Sequence, residues 1–328
     1  VTTLGVITNP TAGSGRGQRW GAEALALLAA RGHRVRDLSR GTWAASLEEA
    51  RGRHRDLDAL VVVGGDGMVH LGVQACAGTR LPLGIVAAGS GNDAASSLGL
   101  PIHDVQGAVD AIERGLDGDV ARIDLGRIDG PGVADRKGRR YFSAVLSMGI
   151  DAAIAASGNR MRHPRGPLKY KVATLKELPR FRPYGVRIEA DGEAWEQTCT
   201  LIAVANGPVF GGGLCISRDS SLVDGMLEVV VAEAVTRRRI LQLFPKLYDG
   251  SVIDEPEARV IRARRVRIGP AGPSAGHPGD GPAGPAPGGA ALPAAFADGE
   301  LVGPAPLDIR AEPGALRVLG GRPDSLRA

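Results

Sequence analysis

An α/β domain followed by a mainly antiparallel β domain is the fold class this sequence predicts, and three observations carry it. Strand and helix signals alternate through the first ~125 residues, as they do where helices cover both faces of a parallel sheet. Glycine-rich loops at 9–17, 64–67 and 87–93 each follow a strand, at the sheet edge where such folds bind ligands. From about Val120 the helical period gives way to period-2 stretches separated by glycine and Asp-Gly turns.

The elements follow in order. Leu4–Thr8 reads as a short apolar strand leading into the loop 9–17, and Gln18–Ala30, rich in Ala and Leu and closed by Gly32, reads as a helix. His33–Leu38 is a second strand, Leu47–Arg51 part of a helix, and the unbroken apolar run Ala59–Val63 a third, buried strand. Met68–Cys76 reads as a helix, Leu83–Val86 as the fourth strand and Val105–Arg114 as another helix. The later strands are Val120–Ile128, Tyr141–Ser147, Gly185–Glu189, Thr198–Ala205, Leu227–Val231 and Val260–Ile268, with a helix at Tyr170–Leu178 among them. Residues 269–289 hold eight Gly and six Pro in 21 positions without a collagen period. They read as a flexible insertion that buries too little apolar surface to order itself. Alternation resumes at Ala294.

Composition narrows the function classes. The 328 residues are 43% hydrophobic and carry a net charge of +4, too mild for a surface built to bind nucleic acid. Cys76, Cys199 and Cys215 are scattered and form no CxxC pair, which predicts reduced thiols in a cytoplasmic protein. No apolar run approaches the ~18 residues a bilayer span needs, and the N-terminus lacks a signal-peptide pattern.

The loops carry the chemistry. Glycines let backbone N–H groups approach phosphate oxygens, and a helix starting near Met68 would add its positive end, worth ~0.3–2 kcal/mol for an anion. Gly64-Gly65-Asp66-Gly67 places a carboxylate in such a loop. Asp66 repels phosphate directly, so it acts through Mg²⁺ or accepts a hydrogen bond from a substrate hydroxyl or loop amide. Gly89-Ser90-Gly91-Asn92-Asp93 adds a second such turn and a second carboxylate. The chain contains neither the Walker-type GxxxxGK[ST] motif nor the protein-kinase set.

With Asn9-Pro10…Gly13, Gly64-Gly65-Asp66-Gly67, Gly89 to Asp93 and Leu98-Gly99-Leu100-Pro101 in this order, the chain resembles the diacylglycerol kinase catalytic-domain family. That family includes bacterial lipid kinases and is related to sphingosine, ceramide and, distantly, NAD kinases. Gly211-Gly212-Gly213, Asp224-Gly225-Met226-Leu227 and Ala297-Asp298-Gly299-Glu300 extend the match over nearly the whole chain. The resemblance implies a Rossmann-like domain at 1–125 and an antiparallel β-sandwich of the NAD kinase/diacylglycerol kinase type at 126–306, with a cleft between them. Residues 307–328 would return to the first domain. The implied reaction moves the γ-phosphoryl of ATP onto the hydroxyl of diacylglycerol or a similar lipid.

Carried over by position, Asn9, Pro10, Thr11, Ala12 and Gly13 would hold the nucleotide. So would Gly64, Gly65, Asp66, Gly67, Met68, Val69, His70 and Leu71, with Gly89, Ser90, Asn92 and Asp93; Ser39 or Thr42 aligns loosely with a further contact. Ser221, Asp224 and the main chain of Met226 resemble a Mg²⁺ site in the β domain. The motif Asp-Gly-Glu occurs twice, at 191–193 and 298–300, and each copy suits a hairpin turn. Local physics does not separate them; the family register, with Pro306-Leu307 shortly after, selects Glu300 as the proton acceptor, and Asp66 is the rival base. The family usually carries Thr, Asn and Glu where this chain has Met68, His70 and Leu71. Met68 then removes a hydroxyl, His70 still donates a hydrogen bond, Leu71 turns inward, and the ATP site is weaker or differently tuned.

Residues 160–182 carry eight Lys/Arg against one Glu, a composition that suits transient contact with an anionic membrane presenting the lipid substrate; Arg237-Arg238-Arg239 is a weaker candidate. A homodimer is compatible with this reading. Kinases acting on a sphingosine-like lipid or on NAD, and a catalytically silent nucleotide-binding regulator, are the alternatives.

Overall fold

The computed structural model describes residues 2–133, 139–161, 167–272 and 292–323. The chain forms two compact units: Val1–Leu125 with Ser221–Gly225 and Glu312–Ala328, and Gly126–Ser220 with Met226–Ala311. The first division between them falls between Leu125 and Gly126. The return to the first unit starts at Glu312 rather than at residue 307.

In the first unit β1 (Thr3–Thr8), β2 (Arg34–Asp37), β3 (Ala59–Gly64) and β4 (Leu83–Ala87) form a parallel sheet in the order β2-β1-β3-β4. The returning segment adds a further parallel contact, Val318 beside Leu83. Every residue of β3 is buried, which is why it reads as one apolar run without alternation. The helices are α1 (Ala12–Gly15), α2 (Gly17–Ala30), α3 (Trp43–Gly52), α4 (Asp66–Cys76), α5 (Asp93–Ser97) and α6 (Val105–Leu116). Thr42 caps α3 through the Ala45 N–H and Asp104 caps α6 through the Gly107 N–H. Leu28 of α2 and Ile112 of α6 join Leu4, Val61 and Val63 in one core. Each such side chain contributes on the order of 1.5–3 kcal/mol by leaving water.

The strands and helices that follow are β5 (Val120–Asp129), β6 (Arg139–Phe142), β7 (Val145–Gly149), α7 (Ile150–Arg160), α8 (Pro167–Glu177), β8 (Tyr184–Ala190), β9 (Glu193–Ala205), β10 (Val209–Phe210) and β11 (Leu214–Cys215). Then come β12 (Leu227–Glu233), α9 (Arg237–Leu243), β13 (Ala258–Ala263), β14 (Arg265–Pro270), β15 (Ala295–Ala297), β16 (Glu300–Gly303) and β17 (Leu307–Leu319). In the second unit the pairing is antiparallel and runs β16-β15-β7-β9-β8-β14-β17, with β12 on the other side of β9 and β13 beyond it. Val229 and Val231 enter one core with Ile188, Val204 and Ile309. Val230 enters another with Val145, Ala203 and Ile216, against which Leu247 and Val252 pack. Both faces of β12 are thereby covered, and its apolar run follows from that sandwich arrangement.

Three features depart from the sequence expectation. Ile150–Arg160, unassigned in the sequence reading, is helix α7, and Arg237–Leu243 is helix α9. The strand expected over Val260–Ile268 is two strands, broken at Arg264. The Asp191 carboxylate accepts the N–H groups of both Arg264 and Arg265, so those amides serve a side chain at the junction. The basic segment 160–182 is described in part, 162–166 lying outside the described residues, as do 273–289 of the Gly/Pro-rich stretch.

Buried ionisable groups in the second unit give a pH prediction. Both carboxylate oxygens of Asp151, in the first turn of α7, are shut off from solvent. Burial pushes its pKa up to about 6, against a partial offset from Ser147 and nearby backbone N–H groups. The folded state therefore holds a proton that the unfolded chain releases as pH rises from ~4 to ~6, and stability falls across that window, by roughly 2–3 kcal/mol at its end. Asp151→Asn should show no gain near pH 4 and a gain of about that size above pH 6, read by urea unfolding at several pH values. Cys76 and Cys199 are buried and Cys215 half-buried, and burial pushes the Cys199 thiol up to about 12 and that of Cys76 up as well.

Candidate functional site

The three glycine loops meet at the C-terminal ends of β1, β3 and β4. Asn9 donates its N–H to the Val63 carbonyl (3.0 Å), and its side-chain oxygen accepts the Thr11 N–H (3.0 Å) and hydroxyl (2.8 Å). This folds Pro10–Gly13 back over the sheet edge. Gly13 has φ +56°, and a Cβ there would stand 2.6 Å from the Ala88 carbonyl oxygen. Gly65 and Gly89 pack backbone to backbone, a Cβ on Gly65 falling 2.9 Å from the Gly89 Cα. Only glycine allows these approaches.

Asp66 locks the second loop to the third. Its carboxylate accepts the N–H of Asn92 (2.8 Å) and of Ala94 (3.3 Å). Asn92 sits at φ +62°; its side chain takes the Gly89 N–H (2.8 Å) and donates to the Gly89 carbonyl (3.0 Å). His103 Nε2 lies 2.7 Å from that same carbonyl, and its ring stacks on Trp20, whose edge in turn comes close to Gly13. Of the roles open to Asp66 in the sequence, acceptance from loop amides is the one realised within the fold.

The loop residues reach solvent to different degrees. Pro10, Thr11 and Ser90 are exposed, and Ala12, Gly13, Gly65, Asp66, Gly67 and Gly91 are half-buried. Asn92 (2% exposed) and Asp93 (7%) are buried, so Asn92 shapes the turn from within. Asp66 begins the eleven-residue helix α4, whose positive dipole end lies at the loop. An oxyanion is the ligand such an arrangement stabilises.

Met68, Val69, His70 and Leu71 do not present side chains to a ligand; all four are at most 8% exposed. Met68 packs on Gly64, where a Cβ would meet its side chain. His70 does not take an outward hydrogen-bonding position: it is 1% exposed, stacks with Trp43 (6.1 Å between centroids) and lies 3.4 Å from the Gln74 amide. Leu71 is in the core. The physical reason is that α4 is buried on every side from Met68 to Cys76.

In the second unit both Asp-Gly-Glu copies are hairpin turns built the same way. Asp298, at φ +50°, accepts the N–H groups of Ser143 and Ala144 (both 2.9 Å). Asp191, at φ +46°, does the same for Arg264 and Arg265. The copies differ in setting: Glu193 is exposed, whereas Glu300, first residue of β16, is half-buried. Asp224 is exposed and Ser221 buried. The resemblance assigns their cation to the β domain, but both residues belong to the first unit and only Met226 to the second. Among the described residues no three His, Cys, Asp or Glu side chains form a metal-type cluster.

Sequence reasoning passed over Asp124. This buried carboxylate accepts the N–H of Gly225 (2.6 Å) and of Gly314 (2.7 Å), and its own N–H donates to the Leu222 carbonyl (2.7 Å). It thereby ties 221–225 and the returning segment to β5. An Asp in an alternating strand carries no local sign of such a role.

A parallel α/β unit with a phosphate-type loop cradle, joined to an antiparallel sandwich, defines the NAD kinase/diacylglycerol kinase class of fold. Residues 3–128 match the diacylglycerol kinase catalytic domain and residues 144–320 the YegS C-terminal NAD kinase beta sandwich-like domain. A diacylglycerol kinase of Mycobacterium tuberculosis (strain ATCC 25618 / H37Rv) is 34% identical over 319 residues, covering 96% of this chain and 94% of that protein. One from Bacillus subtilis (strain 168) is 28% identical over 218 residues, 65% of this chain and 68% of the relative. Among solved structures, a diacylglycerol kinase from Bacillus anthracis str. Sterne superposes with a TM-score of 0.66 at 17% identity, over 97% of this chain and 96% of that one. Yeast NADH kinase complexed with NADH gives 0.55 at 13% identity, over 100% and 86%. The chain belongs to the diacylglycerol kinase family, a family of lipid kinases.

Proposed function

We propose that the protein transfers the γ-phosphoryl group of ATP to the hydroxyl of diacylglycerol or a similar single-hydroxyl amphiphile. The observation that carries this reading is the cradle of three glycine loops at one sheet edge, its second and third loops tied through Asp66 and packed backbone to backbone at Gly65 and Gly89. Phosphoryl transfer asks a protein for positioning and charge stabilisation more than for covalent chemistry, and fixed backbone dipoles supply both. Mg²⁺ bound with the nucleotide supplies the remaining charge neutralisation on the phosphates. The Asp66 carboxylate is an oxygen donor of the kind that cation takes. Asp224, the Ser221 hydroxyl and the Met226 carbonyl are oxygen donors of the kind a hard cation takes.

Glu300 is the proposed proton acceptor, selected by register and by its half-buried place on β16. The lipid is met at the membrane surface. Support comes from α8, where Val172 (38% exposed) and Leu175 (71%) lie three residues apart on one helix face, with exposed Lys176 and Arg180 nearby. Among the described residues no helix is long and apolar enough to cross a membrane.

The test is incubation with labelled ATP, Mg²⁺ and mixed micelles of diacylglycerol or sphingosine, or free NAD. Label is expected on diacylglycerol. Label on NAD alone would move the acceptor to a dinucleotide, and ATP binding without any labelled product would make the chain a nucleotide-binding regulator.

A further inference from the structure

One aromatic side chain at the loop cradle has no role in the reading so far. Trp43 is the first residue of α3, just after β2, and is 37% exposed. Its indole N–H donates to the Gly67 carbonyl at 3.2 Å, inside the Gly64–Gly67 loop. Its ring lies 26° from parallel with that of His70, itself 1% exposed. The indole is thus fixed at two points: its polar end bonds to the loop, and its ring rests on a buried imidazole. An indole whose one hydrogen-bond donor is satisfied, and which still shows a third of its surface, presents mainly π surface and edge to solvent.

We infer that Trp43 is the platform on which the aromatic base of the nucleotide stacks. This rests on the nucleotide reading above and adds to it a base-recognition residue. A flat ligand with a π-face is the partner such a surface suits, and stacking on an aromatic side chain is insensitive to which base is offered. An acyl chain would need an apolar groove, whereas Arg40, Gly41 and Thr42, which precede Trp43, are polar or small and exposed. The link to Gly67 sets the platform directly beside the loop proposed to hold phosphate. His70 gains a purpose as well: buried under the indole, it holds Trp43 in one orientation, so that little side-chain freedom is lost when a base arrives.

The test compares binding of ADP and of inorganic tripolyphosphate to the full chain and to Trp43→Ala, Trp43→Phe and His70→Asn, by calorimetry with Mg²⁺. Trp43→Ala should weaken ADP about tenfold, in line with the loss per base on removing an aromatic platform. Trp43→Phe should stay within about threefold of the parent, as an aromatic face remains. His70→Asn should fall between them, and tripolyphosphate should bind all four alike. Unchanged ADP affinity in Trp43→Ala would overturn the inference. So would an equal loss for tripolyphosphate, which would assign Trp43 to holding the Gly67 turn alone. A parent protein that bound tripolyphosphate but no ADP better than that would leave the cradle standing and remove the base platform. One that bound neither would remove the nucleotide reading itself.

Discussion

Asp66→Ala is expected to lose at least about a hundredfold in lipid phosphorylation and to lower stability by roughly 2–4 kcal/mol, since hydrogen bonds to a charged group contribute about 1.5–3 kcal/mol each. Its carboxylate takes the N–H groups of Asn92 and Ala94; without it the third loop loses its tie to the second. The prediction is read by ADP calorimetry and thermal unfolding alongside the rate. ADP binding and melting temperature should fall together with the rate, because the same bonds shape the cradle and hold it closed. Asp66→Asn retains one acceptor oxygen and should lie between the two. A variant that lost the rate but kept parental ADP affinity and melting temperature would point instead to a direct chemical role for Asp66, as the proton acceptor.

Glu300→Gln is expected to reduce turnover by roughly a hundredfold to ten-thousandfold, the range spanned by a positioned general base. Nucleotide affinity and melting temperature should hardly change, since the substitution is nearly isosteric at the start of a short strand. The second Asp-Gly-Glu copy is a built-in control. Asp191 and Asp298 grip their turns alike, so Glu193→Gln makes the same chemical change in the same kind of hairpin on an exposed site. Glu193→Gln should leave turnover at the parental level. Equal rates for the parent and Glu300→Gln would remove Glu300 from the chemistry, and a loss confined to Glu193→Gln would show that the register had been assigned to the wrong hairpin.

The first unit was legible because its signals are local. Ala59–Val63 reads as a covered strand from five consecutive apolar residues, and the glycine loops announce themselves where strands end. Long-range capping was not legible. Nothing near Arg264 indicates a break, because its cause, Asp191, lies 73 residues away. Asp124 binds Gly225 and Gly314 across 101 and 190 positions, and the membership of Ser221–Gly225 in the first unit follows from the same bonds. Helix α7 was missed for another reason. Its small residues, Ala152, Ala153, Ala155, Ala156 and Gly158, give little amphipathic contrast directly after a strand. At Met68 and His70 the family pattern points to a lost hydroxyl and a retained hydrogen-bond donor, whereas both side chains are buried within α4.

The clamps at Asp66 and Asp298 share an asymmetry that bears on how this chain tolerates sequence drift. Each joins one side chain to main-chain N–H groups elsewhere: Asn92 and Ala94 in one case, Ser143 and Ala144 in the other. Every residue type except proline supplies that N–H. Apart from Asn92, held at φ +62°, and Ser143, whose hydroxyl also donates to Asp298 at 3.3 Å, the donor positions are therefore free, as far as the clamp is concerned, to exchange their side chains over generations. The burden of inheritance falls chiefly on two aspartates, and at the donor positions proline is the replacement that removes the bonded N–H outright.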